Sequence, residues 1–518
     1  MSFAFAGPWH PQRSEDSRGD EEEGEEEGSR CEEASREEGQ AEGGPEEEVA
    51  GLQPTRLEKR WRPSGRQLFF LRPLARTLED TDATSPHACP HLMSAFISTR
   101  GGEAVSLQEA LFQGLAPDGG LYVPTRIGRL TPPPRPVRAL ADTARWIAPC
   151  LLGDTDPSIV ERVVERALDF PAPLVELEPG LHVLELFHGP THAFKDVGAR
   201  FMASLMAELD PGGGRRTVLV ATSGDTGSAV AHAFHGLEGY RVVVLFPKAG
   251  VSERQRRQMT TLGGNVRALA VRGTFDDCQR LAKEAFRNDE LRLRHRLTSA
   301  NSINVGRLLP QSFYYAHAAA LFGWSARPVR FVVPSGNLGN LCAGLLARRA
   351  GMPASGFVAA LNANRAFADF LARGSFEPRP SVSTFSSAMD VGDPSNLERI
   401  RWLYRDDMEA LRRDVRTISV SDEDTKACIG DVYRRTGYML DPHSAVGVAA
   451  HERVAGEGGS PSVVLATAHP AKFPEVVEEA IGRTVPLPPG IAAVMERSEH
   501  VEEVAAKLDA LARALEDR

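Results

Sequence analysis

A chain of 518 residues, 42% hydrophobic and 25% charged, is long enough for two or three domains and has the composition of a globular protein. Its longest apolar runs, such as VVVLF at 242–246, are strand-sized and far shorter than the roughly 20 residues of a membrane-crossing helix. The net charge of −10 sits in one segment, since residues 1–92 carry 21 acids and 11 bases while residues 93–518 carry 49 of each; this leaves no global signal for nucleic acid or an anionic membrane.

Residues 1–92, with DEEEGEEEG at 20–28, cannot bury enough apolar surface to offset their ordering entropy and read as a disordered acidic extension. Globular patterning starts at Met93, in MSAFISTRGG, which makes Met93 an alternative start. Residues 93–177 read as a small, largely helical domain. Ser106 followed by Glu109 ahead of an apolar pattern predicts a capping box, APDGGLYVP at 116–124 has turn chemistry, and a second helix is expected over 156–168. Over 178–482 strands alternate with helices: strands at 182–186, 217–222, 241–246, 265–271, 330–334, 356–361 and 462–467, helices at 227–236, 252–262, 274–288 and 339–350. This predicts an α/β fold with mainly parallel sheets covered by helices. Residues 483–518 read as a helical tail ending in one amphipathic helix. No charged-then-apolar leader is present. Cys31, Cys89, Cys150, Cys278, Cys342 and Cys428 include no CxxC pair, so the expectation is no metal, reduced thiols and a cytoplasmic setting.

Ligands of such sheets bind beyond the carboxyl ends of the strands. Two glycine-rich turns lie there, ATSGDTGSA (221–229) and PSGNLGN (334–340). Each can aim backbone N–H groups and a helix N-terminus at an anion. Neither has the ending of a Walker loop or the spacing of a dinucleotide fingerprint, and one such turn alone is as well explained by the sterics of a tight bend. FHGPTHAFKD (187–196) places Lys195 at a third strand-to-helix junction, where burial would free its amine for Schiff-base chemistry. A single lysine is far more often a solvated charge, so only the combination carries weight.

In that combination the chain resembles the threonine synthases, a family of fold-type-II pyridoxal-phosphate (PLP) enzymes of the tryptophan-synthase-β-like group. The resemblance spans 93–495 and rests on ordered motifs: ISTRGG (97–102), GLAPDGGLYVP (114–124), FHGPTHAFKD, ATSGDTGSA, KAGVSERQRRQMTTLGGNV (248–266), NSINVGRLLPQ (301–311), PSGNLGN, SSAMDVGDPSN (386–396), DPHSAVG (441–447) and TAHPAKF (467–473). It implies a lyase that converts O-phospho-L-homoserine and water to L-threonine and phosphate by γ-elimination and β-addition. It assigns Lys195 as the lysine that carries PLP. Ser335, Gly336, Asn337, Leu338 and Gly339 would hold the cofactor phosphate, Thr467 would face the ring nitrogen, and Asp225 would stand near the ring hydroxyl. Ser223, Gly224 and Thr226 would line the substrate carboxylate, and Lys248, Ser252, Asn304 and Arg307 are candidates for the substrate phosphate. Arg254, Arg256 and Arg257 read as a solvated helix face. The expected partner is the small-molecule substrate, with a monomer or homodimer and neither nucleic acid nor membrane. The alternatives are a PLP-dependent dehydratase or phospholyase on the same fold, and a catalytically silent relative.

Overall fold

The computed structural model describes residues 95–516 apart from 213, 325, 457 and 458. The acidic extension and Met93 lie outside the described residues. The Ser106 capping box is present: Glu109 N–H donates to Ser106 Oγ at 3.1 Å and Ser106 N–H to Glu109 Oε2 at 2.8 Å, satisfying two otherwise orphaned donors.

Three sheets organise the chain. Phe96–Ser98 (β1), Gly101–Val105 (β2) and Tyr122–Pro124 (β3) form an antiparallel sheet in the order β2-β1-β3. The first segment is therefore not only helical, because its turn-rich stretches pair with one another. Leu174–Glu178 (β4) and Leu181–Glu185 (β5) pair antiparallel and begin a second sheet. The chain then leaves to build a third sheet from Arg216–Ala221 (β6), Tyr240–Pro247 (β7), Val266–Arg272 (β8) and Leu297–Ser299 (β9). It returns for Val329–Pro334 (β10), Ala354–Leu361 (β11), Val415–Ser419 (β12) and Ser462–Ala466 (β13), and finally adds Val501–Ala505 (β14) to the third sheet. The strand orders are β12-β11-β10-β13-β5-β4 and β14-β8-β7-β6-β9. Every pairing in these two sheets is parallel except β4 with β5.

The parallel strands are apolar on both faces because both faces are covered. Along β7, Val242 and Val244 join one core while Val243 and Leu245 join another. Val332, Val358 and Val464 face away from Phe331, Phe357 and Val463 in the same way. Side chains alternate with period two, so each sheet seals a core on either side and offers its strand ends for chemistry.

The tail differs from expectation. Residues 501–505 form β14, parallel to β8, between two short helices, Pro489–Met495 and Leu508–Glu516. An available strand edge has overridden the helical propensity of HVEEVAA.

Candidate active site

Five junctions after parallel strands carry the functional side chains. β5 leads to Lys195, the first residue of the helix Lys195–Leu209. β13 lies beside β5, and the segments that follow the two strands zip together. Phe194 N–H donates to the Thr467 carbonyl at 2.8 Å, His469 N–H to the His192 carbonyl at 3.1 Å, and Ala193 bridges Ala468. Sheet register thus brings Thr467 and the turn Pro470–Lys472 next to Lys195.

After β6, the helix Asp225–Phe234 begins with the buried Asp225. Its carboxylate is the hub of the site. Lys472 Nζ lies 2.6 Å from Oδ1, Gln255 Nε2 donates to the same oxygen at 2.8 Å, and Lys195 Nζ stands 3.7 Å from Oδ2. Lys472 is wholly buried and also donates to the Thr191 carbonyl at 2.8 Å, whereas Lys195 keeps 14% of its side chain exposed. After β9, the short helix Val305–Leu308 carries the buried Arg307. Its Nη1 donates to the Ala300 carbonyl at 2.5 Å, and its Nε has no hydrogen-bond partner.

Burial pushes the Lys195 amine below its usual pKa, and the positive charges of Lys472 and Arg307 push it further; Asp225 opposes them. Burial alone would raise Asp225, but Lys472 and Lys195 outweigh it and hold the carboxylate well below its usual range. Burial brings Arg307 down to about 10 and lifts Asp196 to about 6, although Thr191 donates to Asp196 through both N–H and Oγ1. His192 and His469 are pushed down to about 4 and about 3, chiefly by burial, and are neutral near pH 7.

After β10, residues 335–338 form a turn into the helix Gly339–Arg349, with Leu338 left-handed at φ 59°. The first N–H groups of a helix have no partner within it, so this turn is suited to an anion. A Cβ on Gly336 would stand 2.7 Å from Met389 Cα, so the backbone segment around Met389 packs directly on the turn. Asn337 Nδ2 donates to Ser302 Oγ at 2.7 Å, Ser395 N–H donates to Asn337 Oδ1 at 2.6 Å, and Asn396 Nδ2 donates to the Asn337 carbonyl at 3.0 Å. Behind them lies the buried Arg399. It donates to Asn396 Oδ1 at 2.8 Å and to the carbonyls of Tyr122, Ser302 and Ile303 at 3.1, 3.0 and 2.5 Å.

The expected residues do not all converge. Ser223 and Thr226 are half-buried beside Asp225. Gly224 has φ 148°, and a Cβ there would lie 2.8 Å from the Gln255 side-chain amide. Ser252 caps the helix Glu253–Thr260 and its hydroxyl donates to Gln255 Oε1 at 3.0 Å, so it orients the amide that serves Asp225. Lys248, expected at the substrate phosphate, is more than half exposed and pairs with Glu503 of β14 at 2.6 Å. Asn304, expected there too, spends its amide on structure: Nδ2 donates to the Leu111 and Ser299 carbonyls at 2.8 Å each and Oδ1 accepts from Gly306 N–H at 2.9 Å. Arg254, Arg256 and Arg257 are not simply solvated, because they tie down Ala471, Glu499 and the Met495 carbonyl. Lys472, Gln255 and Arg399 escaped the sequence reading. Lys472 stands inside TAHPAKF, but a lysine in a turn reads as a surface charge until its neighbours are known.

Comparison with known proteins agrees with this geometry. Residues 168–468 match the family described as pyridoxal-phosphate dependent enzyme, 95–139 the threonine synthase N terminus and 444–515 the threonine synthase C-terminal family. Threonine synthase of Haemophilus influenzae is 43% identical over 391 residues, 74% of this chain and 91% of the relative. That of Escherichia coli K12 is 42% identical over 397 residues, 75% and 91%. A crystal structure of PLP-bound threonine synthase from Brucella melitensis superposes with a TM-score of 0.77 at 36% identity, covering 82% of this chain and 98% of that one. The Escherichia coli structure gives 0.75 at 37%, covering 81% and 99%.

Proposed function

The chain belongs to the threonine synthases, a family of PLP-dependent lyases, and we propose that its site divides into a cofactor half around Lys195 and Ser335–Gly339 and a substrate half around Arg307. The reaction is conversion of O-phospho-L-homoserine and water to L-threonine and phosphate. The residues fit the cofactor: a lysine of lowered proton affinity stands at one junction, and at another a turn whose Gly336 leaves no room for a Cβ meets a helix N-terminus. When bound, PLP supplies the electron sink that stabilises negative charge on the amino-acid carbons next to the amine.

Lys195 holds the cofactor. Once its Nζ is free, it is the base that takes and returns protons on the substrate carbons, a role suited to an amine shifted toward neutrality. Thr467 would offer the ring nitrogen a hydroxyl and no counter-charge. Ser223, Gly224 and Thr226 receive the substrate carboxylate. Arg307 grips the substrate phosphate through its unpartnered Nε, a charge-assisted bond in a buried setting. Ser252 supports the site through Gln255 and not by touching substrate. The observation that carries this division is the balance of charge. Lys195 and Lys472 flank one firmly ionised carboxylate, Asp225, and Arg307 stands close enough to Lys195 to lower its proton affinity, a grouping of basic side chains that suits anionic phosphates.

Among the described residues no helix is long and apolar enough to cross a membrane. The free thiols of Cys278, Cys342 and Cys428 support a cytoplasmic setting, with the protein acting as a monomer or homodimer. The test is to incubate the purified holoenzyme with O-phospho-L-homoserine and measure products. Threonine and phosphate should form in equal amounts; phosphate released with a keto acid instead would assign the site to an elimination enzyme.

A further inference from the structure

Two lysines compete for one buried carboxylate, and only one of them has a role in the reaction. Lys472 is the better placed of the two. It is wholly buried, stands 2.6 Å from Asp225 Oδ1 and is fixed from the other side by the Thr191 carbonyl at 2.8 Å. Lys195 stands 3.7 Å from Oδ2 and is partly open. Gln255 adds a donor on the Lys472 side of the carboxylate. The carboxylate is therefore anchored toward Lys472, and its attraction for Lys195 is divided.

We propose that Lys472 is a positioning residue: it anchors Asp225 so that the carboxylate only partly serves Lys195, which keeps the Lys195 nitrogen ready to shed its proton. This rests on Lys195 being the cofactor lysine. The titratable and charged groups facing Lys472 are Asp225, Lys195, Asp196 and the imidazoles of His192, His232 and His469, and Arg307 faces Lys195. The imidazoles are pushed down to about 4 or about 3, chiefly by burial, and Asp196 stands at about 6. Their titrations are centred below pH 7. On the alkaline side Arg307 stands at about 10, and the visible absorbance singles out the Lys195 nitrogen because it reads the lysine-bound cofactor. Lys472 and Arg307 both lower its proton affinity and Asp225 raises it. Removing the Lys472 charge leaves Asp225 undivided, so the Lys195 nitrogen must hold its proton to higher pH.

The experiment is a pH titration of the visible absorbance of the holoenzyme, which reads the lysine-bound cofactor directly, with kcat and KM measured across the same range. In Lys472→Met the absorbance midpoint should rise by about one unit or more, the effect of an opposite charge within a few ångströms, and the kcat profile should follow it while KM changes little. The double variant Asp225→Asn with Lys472→Met, which removes both charges, should return the midpoint toward the parent value. A parental midpoint in Lys472→Met, whatever its melting temperature, would overturn the proposal. If Lys472→Met does not fold, Asp225→Asn alone should have a lower midpoint than the double variant, because Lys472 then acts unopposed; equal midpoints are the contrary result. Lys195→Ala separates the two readings. Lysine-type absorbance that persists in it would refute the assignment of Lys195 and with it this proposal, whereas its loss together with a parental midpoint in Lys472→Met would refute the role of Lys472 alone.

Discussion

The two glycine-rich turns follow the same plan, a parallel strand running through glycine into a helix, yet they are built by opposite means. The turn at 221–227 is built around charge: Asp225 is buried between Lys195 and Lys472. The turn at 334–340 is built around neutral amides: Asn337 and Asn396 fix its backbone, and the charge of Arg399 is set behind them. A phosphate that must stay bound through many turnovers is well served by a rigid ring of N–H groups. A nitrogen that must gain and lose protons needs charges that can be weighed against one another. Glycine spacing alone does not distinguish these tasks.

The largest break in this contrast comes from the charged side. Lys195→Ala should lower turnover by several orders of magnitude, since covalent and acid–base roles disappear together, while circular dichroism remains that of the folded chain; near-parental threonine formation would refute the assignment. Next come the two glycines. In Gly336→Ala the new Cβ meets the main chain at Met389, which cannot move alone. Overpacking of this kind costs about 1–3 kcal/mol, so the dissociation constant for PLP should rise about ten- to hundredfold. In Gly224→Ala the Cβ meets the end of the Gln255 side chain, which can swing away from Asp225, while the φ of 148° strains the backbone of the turn itself. Cofactor affinity should then hold while kcat falls about tenfold. If both variants lose cofactor equally, the two turns are not specialised as described.

Arg307→Ala should reduce kcat/KM about tenfold or more, the loss of one charge-assisted contact of roughly 1.5–3 kcal/mol, and leave PLP bound, with the absorbance midpoint raised because Arg307 also lowers the proton affinity of Lys195. A variant that loses PLP but binds substrate normally would move Arg307 to the cofactor half. The smallest effect is expected at Lys248→Ala. Its pair with Glu503 is exposed and such pairs contribute less than about 1 kcal/mol, so kinetics and melting temperature should stay near parental. A large rise in KM would return Lys248 to the substrate site.

Much of this was legible in the chain itself. Seven strands fall where apolar runs alternate with helical patterns, because strands covered on both faces need little beyond apolarity to declare themselves. The junction of Lys195 follows from that alternation. What stayed hidden depends on partners distant in sequence. Asn304 and Arg307 look equally suited to a phosphate, and only the folded chain shows one fully bonded to carbonyls and the other with a free Nε. Lys472 lies 277 positions from Lys195 in the chain, and its burial is set by two neighbouring strands, β5 and β13, not by its own surroundings in sequence. β14 was misread for the same reason, since pairing with β8 and not local propensity decides its state.

The brace at Arg399 has a consequence for the order in which this protein becomes competent during its synthesis. It gathers carbonyls from Tyr122, Ser302 and Ile303 and reaches Asn337 through Asn396. The ribosome releases these residues from the N-terminal end first, so Tyr122, the 302–303 segment and Asn337 all emerge before the guanidinium that binds them together. Until Arg399 has left the exit tunnel, the 334–340 turn exists only as sequence with its backbone unbraced, and a nascent chain has no finished seat for a phosphate.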